Sequence, residues 1–314
     1  MSYAVLNTIA GRSVGPIGCG LMAAMKAALN GGANFWNGGT FYGSPDANSL
    51  HLLKHYFTKY PEDATRVVLI LKGAYDFAAA KPDCTESGIR KSVADGLRIL
   101  DGARSVDLFE CARIDPDVSI EDTVTTFKTL IAEGQIRSYG LSEVKADTVR
   151  RAHIVHPVGA VEVELSLFSR HALSEGGVVE TCRELGLPIV AYSPLDRGWL
   201  TGELKRRQDL APDDYRHGFP RFQPGNFEKN VRLAEVVAEM ARARGYTSAQ
   251  VALAWVKRQG AIPIPGSTKA KRVEENCKEV VLSDADIEAL QKRIEESDIV
   301  GHRYPEIFHE HLEM

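Results

Sequence analysis

Cysteine is scarce in this chain, and its cysteines lack the spacing that a disulfide framework or a metal site needs. The 5 cysteines lie at positions 19, 84, 111, 182 and 277, without a Cys-x-x-Cys pair or a histidine at ligand spacing. An odd, dispersed set is typical of reduced thiols in a cytosolic protein. We therefore expect no metal site and a cytoplasmic location, with the nucleus also open.

Long apolar runs and blocks of one charge are missing as well. No apolar stretch reaches the roughly 18 residues of a membrane span, and the first residues lack the pattern of a signal peptide. The net charge of −4 with no basic block argues against a nucleic-acid groove, but leaves room for a small phosphate pocket. We expect neither a membrane nor a nucleic-acid partner, and protein partners stay open.

Short apolar runs alternate with helical patterns along most of the chain. Strands are predicted near 33–37, 66–71, 105–110, 136–141, 160–164, 187–192 and 261–265, after a hairpin of 3–7 with 13–19 that leads into the first strand. Helices are predicted near 23–30, 48–60, 86–100, 120–133, 146–155, 174–185, 228–244 and 269–279, with extra ones at 247–258 and 283–296.

This alternation of strands and helices predicts an α/β fold: a single (β/α)8 TIM barrel over residues 1–314, with an N-terminal β-hairpin and extra C-terminal helices. Runs such as 67–71 are apolar on both faces, as strands covered on both sides must be. Eight strand–helix units with right-handed crossovers close most simply into a barrel. An open doubly wound sheet is the alternative, but it would need a glycine-rich turn after its first strand, and residues 13–20 do not have that pattern.

Two places break the rhythm. The connection from 196 to 227 is long and rich in Arg, Pro and aromatic residues, which is typical of a functional lid. At 21–24 a strand passes into a helix with no loop and no N-cap residue. Either this protein lacks the loop or residues are missing between Met22 and Ala23, and we favour the second interpretation.

Tyr42 and Lys72 follow consecutive predicted strands, whose C-terminal ends a barrel brings to one rim. Reduction of a carbonyl by a nicotinamide needs a proton donor within hydrogen-bond reach of the carbonyl oxygen. A phenol with a pKa near ~10 is a poor acid unless a neighbouring cation stabilises its phenolate. The pair indicates a hydride-transfer site, and two unrelated surface residues are the alternative.

Nearly the whole chain resembles the aldo-keto reductase superfamily. Residues 34–43 (Asn-Phe-Trp-Asn-Gly-Gly-Thr-Phe-Tyr-Gly) are similar to the family segment Phe-Asp-Thr-Ala-x-x-Tyr-Gly. This implies that Tyr42 is the catalytic acid and Lys72 the family lysine. Asn37 stands where the family has aspartate, and we expect its amide oxygen to orient the ammonium. Residues 36–50 are most similar to the fungal pyridoxal reductases.

The resemblance also implies an NADPH site. Ser142, Glu143 and Glu162 would hold the nicotinamide carboxamide, Tyr192, Ser193, Pro194 and Leu195 would lie against the nicotinamide ring, and Ser267, Thr268, Lys269, Arg272, Glu275 and Asn276 would bind the adenosine 2′-phosphate. Cations at a helix N-terminus favour that extra phosphate, hence NADPH over NADH. Core packing is the alternative for Tyr192, and a solvated helix start the alternative for 267–272.

Ala112 stands where the family usually has a histidine, which widens the pocket and favours a flat, substituted ring. The predicted pocket residues are Trp36, Ala112, Arg113, Trp199 and Phe219, with Phe222 and Tyr304 as further candidates. The implied activity is NADPH-dependent reduction of a small aldehyde, with pyridoxal to pyridoxine, a step of vitamin B6 metabolism, as first choice. A broad-range aldehyde or ketone reductase is one alternative, and a slowly reacting cofactor-binding subunit of the potassium-channel β type is another.

Overall fold

The computed structural model describes residues 24–76, 79, 81–307 and 312, and the backbone of the short strands at 8–9, 12–13 and 18–19. Eight parallel strands of this part form one sheet: β1 (Gly18–Cys19), β2 (Phe35–Gly39), β3 (Val68–Gly73), β4 (Val106–Cys111), β5 (Ile136–Ser142), β6 (Ala160–Glu164), β7 (Ile189–Tyr192) and β8 (Ala261–Pro263). Each pairs with its neighbour in chain order. The predicted (β/α)8 fold is confirmed, and this strand order excludes the doubly wound sheet.

Helices surround the sheet and bury its outer face. They are α1 (Met25–Asn30), α2 (Ser49–Lys59), α3 (Glu86–Leu100), α4 (Ile120–Ala132), α5 (Ala146–Val155), α6 (Val178–Leu185), α7 (Asn226–Arg244), α8 (Ser248–Arg258), α9 (Ala270–Cys277) and α10 (Asp284–Glu295). At Gly31, just after α1, an added Cβ would lie 2.6 Å from the Cβ of Cys277. Because α1 and α9 pack this closely, the ring of helices closes.

The inside of the barrel is filled by a small apolar cluster separate from the outer core. Its members are Phe35, Val68, Ile70, Leu108, Ala160, Val190 and Ile262. Side chains alternate between the two faces of a strand, so the residues between these point outward to the helices. Leu69 and Leu71 belong to the outer core, as this alternation requires.

Both extra helices, α8 and α10, lie where the sequence predicts them. An N-terminal hairpin is present, but its described pairing is Thr8–Ile9 with Arg12–Ser13, nearer the turn than the predicted strands 3–7 and 13–19. Residues 3–7 and 14–17 and the junction at 21–23 lie outside the described residues. The connection after β7 consists of short 3₁₀ turns over Asp196–Thr201, Arg207–Asp209, Tyr215–Gly218 and Pro220–Phe222. Within the described part, no helix has the length and apolarity that a bilayer crossing requires.

Candidate active site

A layer of polar side chains lies directly above the apolar filling of the barrel, at the C-terminal ends of the strands. Each member follows an inward-pointing apolar residue by two positions: Asn37 follows Phe35, Lys72 follows Ile70, Glu110 follows Leu108, Glu162 follows Ala160 and Tyr192 follows Val190. Strand alternation therefore turns all of these side chains into the barrel mouth. This is the end at which barrel enzymes place their reactive groups.

Two carboxylates hold Lys72 in this layer. The Lys72 ammonium donates a hydrogen bond to Oε1 of Glu162 and lies 3.2 Å from Oε1 of Glu110. All three side chains are buried. Burial lowers the pKa of Lys72, but the charges of Glu110 and Glu162 outweigh it and hold that pKa above its ordinary value. Lys72 is therefore a cation across the physiological pH range.

Glu110 is the carboxyl group of the cluster whose pKa is raised and whose oxygens lack a hydrogen bond. Its 3.2 Å contact with Lys72 lacks hydrogen-bond geometry, so within the described residues neither of its oxygens has a hydrogen-bond partner. Burial, and after it the charge of Glu162, raises the pKa of Glu110 well above its ordinary value, although Lys72 opposes this rise. Two buried carboxyl groups share one ammonium here, and Glu110, which lacks a hydrogen bond within the described residues, is the one whose charged form is disfavoured.

Asn37 contacts the carboxylate partner of Lys72 rather than Lys72 itself. Its Nδ2 donates to Oε2 of Glu162 at 2.9 Å, while its Oδ1 is buried with no partner among the described residues. We expected the amide oxygen to orient the ammonium. The geometry corrects this, because the amide N–H₂ is the group engaged and its effect reaches Lys72 through Glu162.

Tyr42 lies at the open side of the same cleft, in the loop between β2 and α2. Its backbone N–H donates to the Gly39 carbonyl at 3.3 Å, and its own carbonyl accepts from the Ser49 N–H at 2.9 Å. Solvent reaches 45% of the residue, yet burial by the surrounding walls raises the pKa of Tyr42 to about 12, with Lys72 lowering it and Glu162 raising it. The phenol is thus a proton donor that keeps its proton at neutral pH.

These groups open into one cleft of about 510 Å³. Of the predicted site residues, the cleft brings together Asn37, Tyr42, Lys72, Ala112, Arg113, Glu162, Tyr192, Ser193 and Phe219. The long connection after β7 contributes Arg197, Tyr215 and Phe219 to the wall, and Tyr304 closes another side. That connection is thus part of the site, as a functional loop would be.

Two tryptophans predicted for the substrate pocket lie in the core instead. Trp36 precedes Asn37 on β2, so alternation turns it toward the helices, where its ring packs on Tyr56 and Phe57. Trp199 is buried and packs against Phe168, Phe222 and Phe227, so Phe222 also lies in the core. None of the three lines the cleft.

The residues predicted to hold a nicotinamide carboxamide differ in whether their hydrogen-bonding groups already have partners. The Ser142 hydroxyl, at the end of β5, is buried with no partner in the described part of the chain. Glu143 accepts from the Glu164 N–H at 3.0 Å and from Nη2 of Arg303 at 2.6 Å. Burial raises the pKa of Glu143, but Arg303 outweighs it and leaves that pKa below its ordinary value. Ser142 therefore fits the carboxamide, whereas Glu143 is occupied by Arg303 and Glu162 by Lys72.

Arg303 and Tyr304 connect the C-terminal segment to the cleft. Arg303 also donates through Nη1 to Oε2 of Glu164 at 2.8 Å, and the Tyr304 hydroxyl donates to that of Tyr192 at 3.1 Å. The Arg197 guanidinium lies 4.6 Å from the centroid of the Tyr304 ring. Sequence reasoning missed Arg303 and Arg197, because neither lies in a periodic element or in a segment that resembles the family.

A second pocket, of about 540 Å³, lies beside the cleft and shares Gly266 with it. It contains Leu195, Ser267, Thr268, Arg272, Glu275 and Asn276 of the predicted cofactor residues, while Lys269 is exposed and Pro194 is buried outside both pockets. Arg272 forms a two-point ion pair with Glu203, with Oε2 at 2.6 Å. Glu275 accepts from the Thr247 hydroxyl at 2.7 Å. A ligand spanning the two pockets would meet Tyr192 and Ser193 at one end and Arg272 at the other.

Comparison with known proteins agrees with this geometry. The model of the Aldo/keto reductase family matches residues 21–295. The chain is 38% identical to probable pyridoxal reductase 2 of Schizosaccharomyces pombe, over 94% of this chain and 96% of that protein. It is 36% identical to probable aldo-keto reductase 1 of Glycine max, over 90% and 82% of the two chains.

Solved structures share the fold at lower identity. A glycerol dehydrogenase from Gluconobacter oxydans superposes with a TM-score of 0.82 at 22% identity, over 96% of this chain and 97% of the other. An aldo/keto reductase from Klebsiella pneumoniae in complex with NADP and acetate gives a TM-score of 0.72 at 21% identity, over 96% and 99%. With its barrel, its Tyr42–Lys72 cleft and the matched family model, the chain belongs to the Aldo/keto reductase family and is an oxidoreductase.

Proposed function

We propose that this protein uses NADPH to reduce a small aldehyde to its alcohol, and that the aldehyde is pyridoxal. The observation that carries the proposal is the cleft that Tyr42 and Lys72 share, with Lys72 kept charged by a buried carboxylate. The relative from Schizosaccharomyces pombe, named a probable pyridoxal reductase, supports this substrate. The Klebsiella pneumoniae structure, which is a complex with NADP, supports the cofactor.

The residues present fit NADPH at both ends of the paired pockets. The unpartnered Ser142 hydroxyl is a donor for the carboxamide oxygen, and Tyr192 offers a ring face beside the cleft. Ser267 and Arg272, next to the start of α9, would hold the 2′-phosphate, since oxyanions pair strongly with guanidinium groups. When bound, NADPH supplies the hydride that reaches the carbonyl carbon.

Tyr42 supplies the proton in this mechanism. Its hydroxyl donates to the carbonyl oxygen while the carbon accepts hydride, which leaves a phenolate on Tyr42. The Lys72 ammonium stabilises that phenolate by opposite charge, and so lowers the barrier to proton transfer. Glu162 keeps Lys72 charged and Asn37 holds Glu162 in place.

The shape of the cleft supports a flat, substituted ring as the substrate. Ala112 leaves space beside Lys72, and Phe219, Tyr215 and Tyr304 provide aromatic walls. A volume of about 510 Å³ lies within the range of small-ligand sites. A single six-membered ring bearing an aldehyde would place its carbonyl oxygen at Tyr42 with its ring against these walls.

The test measures loss of NADPH absorbance with pyridoxal, benzaldehyde and glyceraldehyde, for the wild-type protein and Tyr42→Phe. We expect pyridoxal to have the highest kcat/KM, and Tyr42→Phe to lose at least ~100-fold in turnover while still binding NADPH. Equal kcat/KM for all three aldehydes would replace pyridoxal by a broad substrate range. Tight NADPH binding without turnover would favour a regulatory subunit instead.

A further inference from the structure

The cations of the cleft differ in whether a carboxylate neutralises them. Lys72 has Glu162, and Arg303 has Glu143 at 2.6 Å. Arg197, also at the cleft, lies 2.8 Å from a carboxylate oxygen of Glu164. Arg113 lines the same cleft, but among the described residues no carboxylate oxygen lies within ion-pair distance of it. Arg113 is therefore a cation without a direct carboxylate partner in this part of the chain.

Arg113 is held in place without using up its hydrogen-bonding capacity. Its Nη1 donates to the Ala112 carbonyl at 2.5 Å, and its guanidinium lies 5.9 Å from the centroid of the Tyr304 ring. Its Nε and Nη2 form no hydrogen bond within the described part of the chain, and neither is buried. Two donors of the planar group are therefore accessible in the cleft.

The backbone places Arg113 close to the reacting groups. The Ala112 N–H donates to the Gly73 carbonyl at 2.8 Å, so the segment that carries Arg113 runs beside the residue that follows Lys72. The charge of Arg113 also acts on Tyr42, where it offsets a small part of the rise in pKa that burial causes. A substrate with its carbonyl oxygen at Tyr42 thus has the Arg113 side of the cleft next to the aldehyde.

We propose that Arg113 is a substrate-binding residue that pairs with an anionic oxygen on the ring, adjacent to the aldehyde. This inference rests on the proposed function and specifies its substrate class: 3-hydroxypyridine-4-aldehydes, whose ring oxygen is ionised at neutral pH. A guanidinium binds an oxyanion through two parallel hydrogen bonds, which fixes the orientation of a flat ring as well as its position. Ala112 leaves the space that such a substituent occupies.

The test compares two substrates that differ by one hydroxyl, 3-hydroxypyridine-4-carbaldehyde and pyridine-4-carbaldehyde. For Arg113→Met we expect kcat/KM to fall at least ~10-fold more for the hydroxylated aldehyde than for the other, the scale of a lost hydrogen bond to a charged group. Arg113→Lys keeps the charge but loses the planar pair of donors, so its kcat/KM for the hydroxylated aldehyde should fall by an intermediate amount. Arg242→Met, an exposed arginine on α7, is the matched control. An equal loss on both aldehydes, or no loss on either, overturns the assignment.

A binding measurement separates this inference from the proposed function. Calorimetry with the NADPH-loaded protein compares 3-hydroxypyridine with pyridine, neither of which can be reduced as an aldehyde. If the wild type reduces no aldehyde, the proposed function fails, yet tighter binding of 3-hydroxypyridine that Arg113→Met abolishes still supports an oxyanion site. Binding that the substitution does not change overturns it. A preference for pyridoxal 5′-phosphate over pyridoxal that disappears in Arg113→Met would place a phosphate on Arg113 and also overturn it.

Discussion

Replacing both carboxylates around Lys72 should destabilise the protein far more than replacing either one. In Glu110→Gln the ion pair of Lys72 with Glu162 remains. In Glu162→Gln the carboxyl of Glu110, 3.2 Å from the ammonium, remains as its partner. In the double variant the buried ammonium has neither carboxylate.

The magnitudes follow from the burial of Lys72, which is only 4% exposed. Glu162→Gln should cost about 1–2 kcal/mol in the free energy of unfolding, the scale of one altered buried hydrogen bond, and Glu110→Gln should cost less, because Glu110 forms no hydrogen bond within the described residues. The double substitution leaves an uncompensated buried charge, which costs about 3–5 kcal/mol beyond that sum. Lys72 escapes part of this cost by losing its proton, and it then no longer stabilises the Tyr42 phenolate.

Urea unfolding at neutral pH measures the four free energies of the cycle, and NADPH oxidation measures the activity of each variant. Lys72→Met in the double background is the control, because it removes the stranded charge and should recover most of the stability. A double variant that loses no more stability than the sum of the single losses, or a Lys72→Met variant that recovers none, would refute this role of the two carboxylates.

Three further predictions rest on other contacts. Because the pKa of Glu110 is raised in the folded state, its ionisation opposes folding. The wild type should therefore lose stability relative to Glu110→Gln as the pH rises above the ordinary glutamate pKa of about 4.3. Urea unfolding at several pH values measures this difference. Arg303→Met leaves buried Glu143 without its cation and should lower the free energy of unfolding by about 3–5 kcal/mol, which thermal or urea unfolding measures. Because the pKa of Glu143 is lowered in the folded state, this loss should shrink below about pH 4. A loss that stays constant with pH would contradict this prediction. Arg272→Met should weaken NADPH binding at least ~10-fold and change NADH binding little. Glu203→Gln removes the carboxylate that pairs with Arg272 and should tighten NADPH binding. Equal effects on the two cofactors in calorimetry would refute the 2′-phosphate assignment.

The barrel and the meeting of Tyr42 with Lys72 were predictable, because strand–helix alternation and chain order together determine which strand ends share a rim. The inward direction of Glu110 was also predictable, since it stands two positions after the apolar Leu108 on the same strand and so shares its face. The same alternation turns Trp36 away from the cleft. The ion pair of Arg303 with Glu143 was not predictable, since it joins residues far apart in sequence through a segment with no period.

Hydride transfer to an aldehyde in the Tyr42–Lys72 cleft can be followed directly with an isotope. The most direct measurement supplies NADPH deuterated at C4 of the dihydronicotinamide together with pyridoxal, and follows deuterium in the pyridoxine by mass spectrometry. We expect one deuterium on the carbinol carbon with the wild type, and a rate at least ~100-fold lower with Tyr42→Phe. Labelled alcohol formed at the same rate by Tyr42→Phe, or no labelled alcohol from a protein that binds NADPH, would contradict it.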